Sequence, residues 1–276
     1  MAKLRPYFED VQAHYDLSDD FYRLFLDESM TYSCAYFERD NFTLAQAQAA
    51  KVDLSLGKCQ IQKGMTLLDV GCGWGATALR AASVYDCNVI GLTLSKNQLA
   101  TCQERAAHDS RIEFRLQGWE EFNEPVDRIV SIGAFEHFRW ERHRAFFEKC
   151  YALLPADGRM MCHTILYDNP EMDLDFISYI KFIAKKIFPG GQLPSLDRMK
   201  EESTRAGFKI EKIQSLQQHY AKTLDCWAAN LKEREEEAVA IANQEIVDRY
   251  FRYLRESAHY FRIGKIDVCQ FSLTKG

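Results

Sequence analysis

The 276-residue chain is 47% hydrophobic and 27% charged, with a formal net charge of -5 at neutral pH. That apolar content suffices for the core of one elaborated domain, and the acid excess argues against nucleic acid as the main partner. Nine cysteines without a CxxC pair, in a chain charged from Lys3 onward and lacking an apolar signal region or membrane-length run, predict reduced thiols and a cytoplasmic location rather than a disulfide framework or a zinc site.

Residues 7–26 carry apolar side chains at mostly helical spacing, interrupted at 16–20, and predict two helices, the second capped by Ser18. In the aromatic stretch 30–38, Tyr32, Tyr36 and Phe37 suit either a lid over the core or a ligand contact, and a helix is expected over 43–58. Thr66, Leu67, Leu68 and Val70 then form a short apolar run of the kind buried on both faces of a parallel sheet, broken by Gly71, Gly73 and Gly75. An alanine-rich helix follows over 74–84. A glycine turn at such a junction lets a ligand approach the main chain beside the free N–H groups of a helix start. The spacing Gly-x-Gly-x-Gly lacks the extra residue of the dinucleotide pattern and favours a cofactor without phosphates.

The alternation of strands and helices continues. A strand is expected over 88–94 and a helix over 95–107, where Ser95 and Gln98 have capping-box spacing. Gln98 also suits ribose recognition with Thr93, since no acid stands at 89–94. After a strand at 112–116, Trp119 beside Glu120 fits either a core ring or a wall for a heterocycle with an amino donor. A fourth strand over 127–132 places Glu136 and His137 at its carboxyl end, where ligands bind in open α/β sheets. His163, on a fifth strand over 159–166, reads as a structural residue or as a site group. Phe176, Ile177, Ile180 and Ile183 share helical register with Lys181, Lys185 and Lys186; this pattern suits a core-facing stripe, a cover for an acyl chain, or transient contact with an anionic membrane surface. A short helix to 206, a strand over 208–215, helices through 228 and 246–260, and a strand over 265–273 complete the chain. In that last strand Cys269 shares a face with Phe271 and Leu273 and reads as a buried thiol.

The segments FEDVQAHYDLSDDFY (8–22), TYSCAYFE (31–38), LLDVGCGWG (67–75), GLTLSKNQ (91–98), EPVDRIVSIGAFEHF (124–138), KFIAKKIFPGG (181–191), QQHYAKTLD (217–225) and IDVCQFSLTK (266–275) together resemble the cyclopropane fatty acid and mycolic acid cyclopropane synthases. The resemblance implies a single α/β class I methyltransferase domain with a seven-stranded mixed sheet whose last strand is antiparallel. An N-terminal helical cover over 1–60 and a lipid-binding helical insertion over 167–206 go with it. It implies S-adenosylmethionine held by Tyr32, Ser33, Asp69, Gly71, Gly73, Gly75, Thr93, Leu94, Gln98, Trp119, Glu120 and Ile132. A bicarbonate ion is implied beside the methyl sulfonium, held by Cys34, Glu136, His163 and Tyr220, with the ion as proton acceptor and Glu136 as its orienter.

The implied reaction adds a methylene or methyl group to the double bond of an unsaturated acyl chain, carried on a lipid or an acyl carrier, and closes a cyclopropane through a carbocation. Methyl-branched or hydroxylated products, or a noncatalytic lipid-binding scaffold, are the alternatives. The expected location is the cytoplasm, with contact at the inner face of the membrane. Relatives commonly carry a cysteine in a Tyr-Leu-x-x-Cys pattern, where this chain has Tyr253-Leu-Arg-Glu-Ser257, so no covalent thiol step is expected.

Overall fold

The apolar run ahead of the glycines forms strand β1 (Thr66–Val70), with Leu67, Leu68 and Val70 buried. The computed structural model describes residue 6, residues 17–168 and residues 172–276; the first of the two expected N-terminal helices falls outside them. β1 pairs in parallel with β2 (Asn88–Thr93) on one side and β4 (Arg128–Ile132) on the other. β3 (Ile112–Leu116) extends the sheet beyond β2, and β5 (Arg159–Leu166) extends it beyond β4. β7 (Asp267–Thr274) runs antiparallel between β5 and β6 (Lys209–Ser215), giving the order β3-β2-β1-β4-β5-β7-β6. This is the seven-stranded class I methyltransferase sheet. Its order reverses between β1 and β4, the place where the carboxyl ends of parallel strands leave a crevice.

Helix α1 (Asp19–Arg23) is capped by Ser18, and α2 (Leu44–Cys59) opens with a complete capping box between Thr43 and Gln46. With α3 (Ala76–Tyr85) and α4 (Lys96–Arg105), α2 covers one face of the sheet through Val52, Leu56, Ala78, Ala81 and Cys102. The opposite face carries α5 (His143–Leu153) through Phe146 and Phe147.

Residues 167–206 divide between two environments. The apolar stripe of α6 (Leu174–Lys186) buries Phe176 and Tyr179 in a third core cluster with α1, α8 (Gln217–Glu233), α9 (Glu235–Ala242) and α10 (Gln244–Arg262). By contrast α7 (Leu196–Arg205) packs on α5 and β6 and contributes Met199 to the cluster beneath the sheet. Of these two helices, α6 borders the cavity described below and α7 does not. Among the described residues no helix is long and apolar enough to cross a membrane.

Candidate active site

Two cavities meet at the carboxyl ends of β1, β4 and β5. The first, about 120 Å³, lies over the glycine turn and is lined by Tyr32, Ser33, Asp69, Gly71, Gly73, Thr93, Leu94, Gln98, Trp119 and Ile132 among others. Gly71 and Gly73 hold φ values of +80° and +55°, which L side chains rarely adopt. A Cβ on Gly71 would meet the Ala134 Cβ at 2.4 Å, whereas one on Gly73 would meet nothing within 4 Å and would stand in open space.

The expected capping box at Ser95 is only half formed. Ser95 Oγ accepts from the Gln98 amide at 3.3 Å, but the Ser95 amide donates to Thr93 Oγ1 at 3.1 Å. Thr93 Oγ1 in turn donates to Gln98 Oε1 at 2.9 Å, so the Gln98 side chain is turned away from the cap and fixed in the crevice wall. Asp69 is 2% exposed, its Oδ2 has no hydrogen-bond partner, and burial pushes its carboxyl up to about 7 against the opposing pull of Lys51. An orphaned acid, a glycine with room beside it, a fixed amide and the Trp119 ring fit the amino-acid arm, ribose and base of S-adenosylmethionine.

The second cavity, about 340 Å³, is lined mostly by apolar groups including Ile165, Tyr179, Ile180, Ile183, Phe188 and Leu224. Four of the residues that line it come from distant segments: Cys34 precedes α2, Glu136 follows β4, His163 stands on β5, and Tyr220 is on α8. Gly133, at φ +68°, ends β4, and buried Phe135 anchors the turn Phe135–His137 against Phe146. That turn delivers Glu136. Its Oε1 accepts from the Ile165 amide at 2.7 Å, its Oε2 is buried without a partner, and burial raises its carboxyl to about 7.

His163 faces Gln270 across the β5–β7 ladder, with Gln270 Nε2 at 3.3 Å from its Nδ1. Gln270 presents Oε1 to Lys58 and Nε2 to Ser55 Oγ at 3.0 Å, so the amide donates toward His163 and Nδ1 accepts. Burial holds the imidazole far below its usual pKa, leaving a neutral ring with the proton on Nε2. Burial also pushes the Cys34 thiol and the Tyr220 phenol well up, and Cys34 Sγ donates to the Ala35 carbonyl at 3.1 Å. An unpartnered carboxylate oxygen in a cavity also lined by a neutral imidazole and a neutral phenol fits a small oxyanion that can both donate and accept, as bicarbonate does.

Tyr32, Ser33, Gly133 and His137 line both cavities and form the wall between them.

Two sequence-predicted cofactor residues stand outside the crevice lining. Glu120 pairs its buried carboxylate with Arg142 at 2.8 Å, directly behind Gly118 of the lining. Gly75 instead caps α3 in left-handed conformation, its α-carbon packed toward Phe114 and Cys102. Cys269 borders neither cavity, while Ser257 borders the second and shares a 2.9 Å hydrogen bond with Tyr179. Sequence reasoning missed Lys51, which is fully buried and lines the first cavity. Its signal was present, since Ala47, Lys51, Ser55 and Cys59 fall four apart on the buried face of α2.

A family model described as mycolic acid cyclopropane synthetase matches residues 2–271. Cyclopropane mycolic acid synthase 1 of Mycobacterium tuberculosis is 55% identical over 284 residues, covering 99% of each chain. The structure of the cyclopropane synthase MmaA2 from Mycobacterium tuberculosis superposes with a TM-score of 0.97 at 54% identity, covering 99% of both chains. The mycolic acid cyclopropane synthase CmaA1 complexed with SAH and CTAB superposes at 0.96 with 55% identity and the same coverage. With these relatives along its whole length, and a glycine-turn crevice opening onto an apolar cavity, the chain belongs to the mycolic acid cyclopropane synthetase family of S-adenosylmethionine-dependent methyltransferases.

Proposed function

We propose that the protein converts the double bond of an unsaturated acyl chain to a cyclopropane ring, with Glu136, Cys34, His163 and Tyr220 holding a bicarbonate ion that accepts the proton. The observation that carries this reading is the unpartnered Oε2 of Glu136 in an apolar cavity that shares a wall with the cofactor crevice. When bound, S-adenosylmethionine supplies an electrophilic methyl group. Addition to an alkene leaves a carbocation on the acyl chain, and ring closure requires loss of a proton from the added methyl.

The residues divide that work. The apolar wall of Ile165, Ile180, Ile183 and Leu224 holds the chain and keeps out water that would capture the cation as an alcohol. Tyr32 and Tyr220 offer ring faces that stabilise positive charge electrostatically. Glu136 is fixed by the Ile165 amide and turns its second oxygen to the ion, whose remaining oxygens suit the Nε2–H of His163 and the hydroxyl of Tyr220. Bicarbonate would supply a base small enough to sit within proton-transfer reach of the new methyl, about 3 Å.

The mouth supports an anionic lipid surface at the cytoplasmic face as the source of the chain. Trp140 and Met172, each 50% exposed, border the cavity, and Leu174 shares an exposed face of α6 with Lys181 and Lys185.

The test incubates the protein with methyl-labelled S-adenosylmethionine and mixed unsaturated lipids, and reads product mass and ring protons. A ring product supports the reading. A methyl-branched or hydroxylated chain refutes ring closure, and unlabelled lipid throughout refutes catalysis.

A further inference from the structure

Lys51 is a buried charge of the cofactor crevice that no ion pair within the fold explains. Its side chain is 0% exposed, and its Nζ donates to Ser33 Oγ at 2.8 Å. Among the described residues no carboxylate forms an ion pair with it. Burying an ammonium in this way is strongly unfavourable unless an anion joins it. Asp69 borders the same space with Oδ2 unpartnered, so one end of the crevice presents an unmatched cation and an unmatched acid side by side. Asp69 and Lys51 both line this cavity and form no ion pair with each other, so a ligand that carries both charges can meet each of them.

The rest of the crevice decides which part of the ligand lies there. Trp119 and Gln117 stand at the end suited to the base, Gln98 and Thr93 at the end of β2 suit the ribose, and the wall shared with the apolar cavity must face the sulfur. Away from these ends, the charged side chains of the lining are Lys51 and Asp69, beside the glycine turn and Thr31. A zwitterionic α-amino acid is the piece of S-adenosylmethionine not otherwise placed.

We propose that Lys51 is the anchor for the cofactor's α-carboxylate, acting directly or through the Ser33 hydroxyl it holds, opposite Asp69 as the seat of the α-ammonium. This inference rests on the S-adenosylmethionine reading of the crevice. It gives Lys51 a second effect on geometry, because Ser33 belongs to the wall between the cavities and its hydroxyl is oriented by the same ammonium. Occupying the carboxylate seat therefore fixes the sulfur end of the cofactor against that wall.

The test is a calorimetric comparison of two ligands on wild type and Lys51→Met: S-adenosylhomocysteine, and 5′-deoxy-5′-methylthioadenosine, which keeps the base, ribose and sulfur without the amino acid. The variant is expected to lose about thirtyfold or more in affinity for S-adenosylhomocysteine and to hold methylthioadenosine as wild type does. Lys51→Arg, which keeps a cation, should recover part of the loss. Equal loss of both ligands, or no loss of either, would overturn the proposal. Should Lys51→Met not fold, wild type alone decides: removing only the α-carboxylate from S-adenosylhomocysteine must weaken binding by a similar factor, and unchanged affinity refutes the anchor. Wild type that binds neither ligand would instead overturn the cofactor reading itself, and the anchor with it.

Discussion

The Ile165 amide holds one oxygen of Glu136 at 2.7 Å and leaves the other buried with no partner, so the residue is fixed in place yet unfinished as a hydrogen-bonding group. Glu136→Gln keeps an oxygen for Ile165 and replaces the free oxygen with a donor. The variant is expected to retain S-adenosylhomocysteine affinity and lose roughly a hundredfold or more in single-turnover ring formation. Rigorous removal of bicarbonate should slow the wild type comparably, and restoring it should rescue the wild type but not the variant. Full activity in Glu136→Gln, or indifference of the wild type to bicarbonate, would reject the assignment.

The same substitution has an opposite effect on stability. Burial raises the Glu136 carboxyl from 4.5 to about 7 in the folded protein. Between those values the unfolded chain has released its proton while the folded one retains it, so this group makes stability fall as pH rises through that window and adds no further slope above it. Glu136→Gln removes the penalty and should be more stable than wild type at pH 8 by no more than about 3 kcal/mol, with the difference vanishing below pH 4.5. Urea melts across pH 4 to 8 measure it. A constant offset across the range would contradict the raised carboxyl.

The glycines separate folding from binding. Gly71→Ala drives a Cβ into Ala134 and should lower the melting temperature by several degrees, whereas the Cβ of Gly73→Ala enters open space in the crevice at a modest strain of about 1 kcal/mol. Gly73→Ala is therefore expected to weaken S-adenosylhomocysteine binding more than it weakens the fold. Thermal melts with and without ligand report both, and unchanged ligand affinity in Gly73→Ala would remove the cofactor from that turn.

Thiol or hydroxyl nucleophiles are not needed. Cys269 borders neither cavity and Ser257 is spoken for by Tyr179, so alanine at either position should leave product formation within a fewfold of wild type. Ser257→Ala strands the buried Tyr179 hydroxyl and is expected to lower stability by about 1–2 kcal/mol. Turnover abolished in a folded, cofactor-binding Cys269→Ala protein would demand a different mechanism.

The elements that hold the cofactor were legible because their signals are local. Leu67 to Gly75 carries its own strand, turn and helix start, and Ser95 its own cap, even though Gln98 has left that cap for Thr93. The pairing of Glu120 with Arg142 could not be read, because Arg142 is 22 residues away and joins it only through tertiary packing. Cys34, Glu136, His163 and Tyr220 show no spacing rule at all; the resemblance grouped them, and the sheet and α8 supply the reason they meet. The tautomer of His163 depends on Lys58 through Gln270, a relation between a helix and a distant strand that no pattern in either segment announces.

The wall made by Tyr32, Ser33, Gly133 and His137 also divides the chain's heredity. The crevice on its donor side is assembled from residues 30 to 138, while the acyl side draws most of its lining from Trp140 to Ile266. Sequence drift in the later half can therefore lengthen, shorten or bend the space for an acceptor without disturbing the donor. Changes in α6, α8 and α10 would reshape that space while leaving the four-residue wall in place.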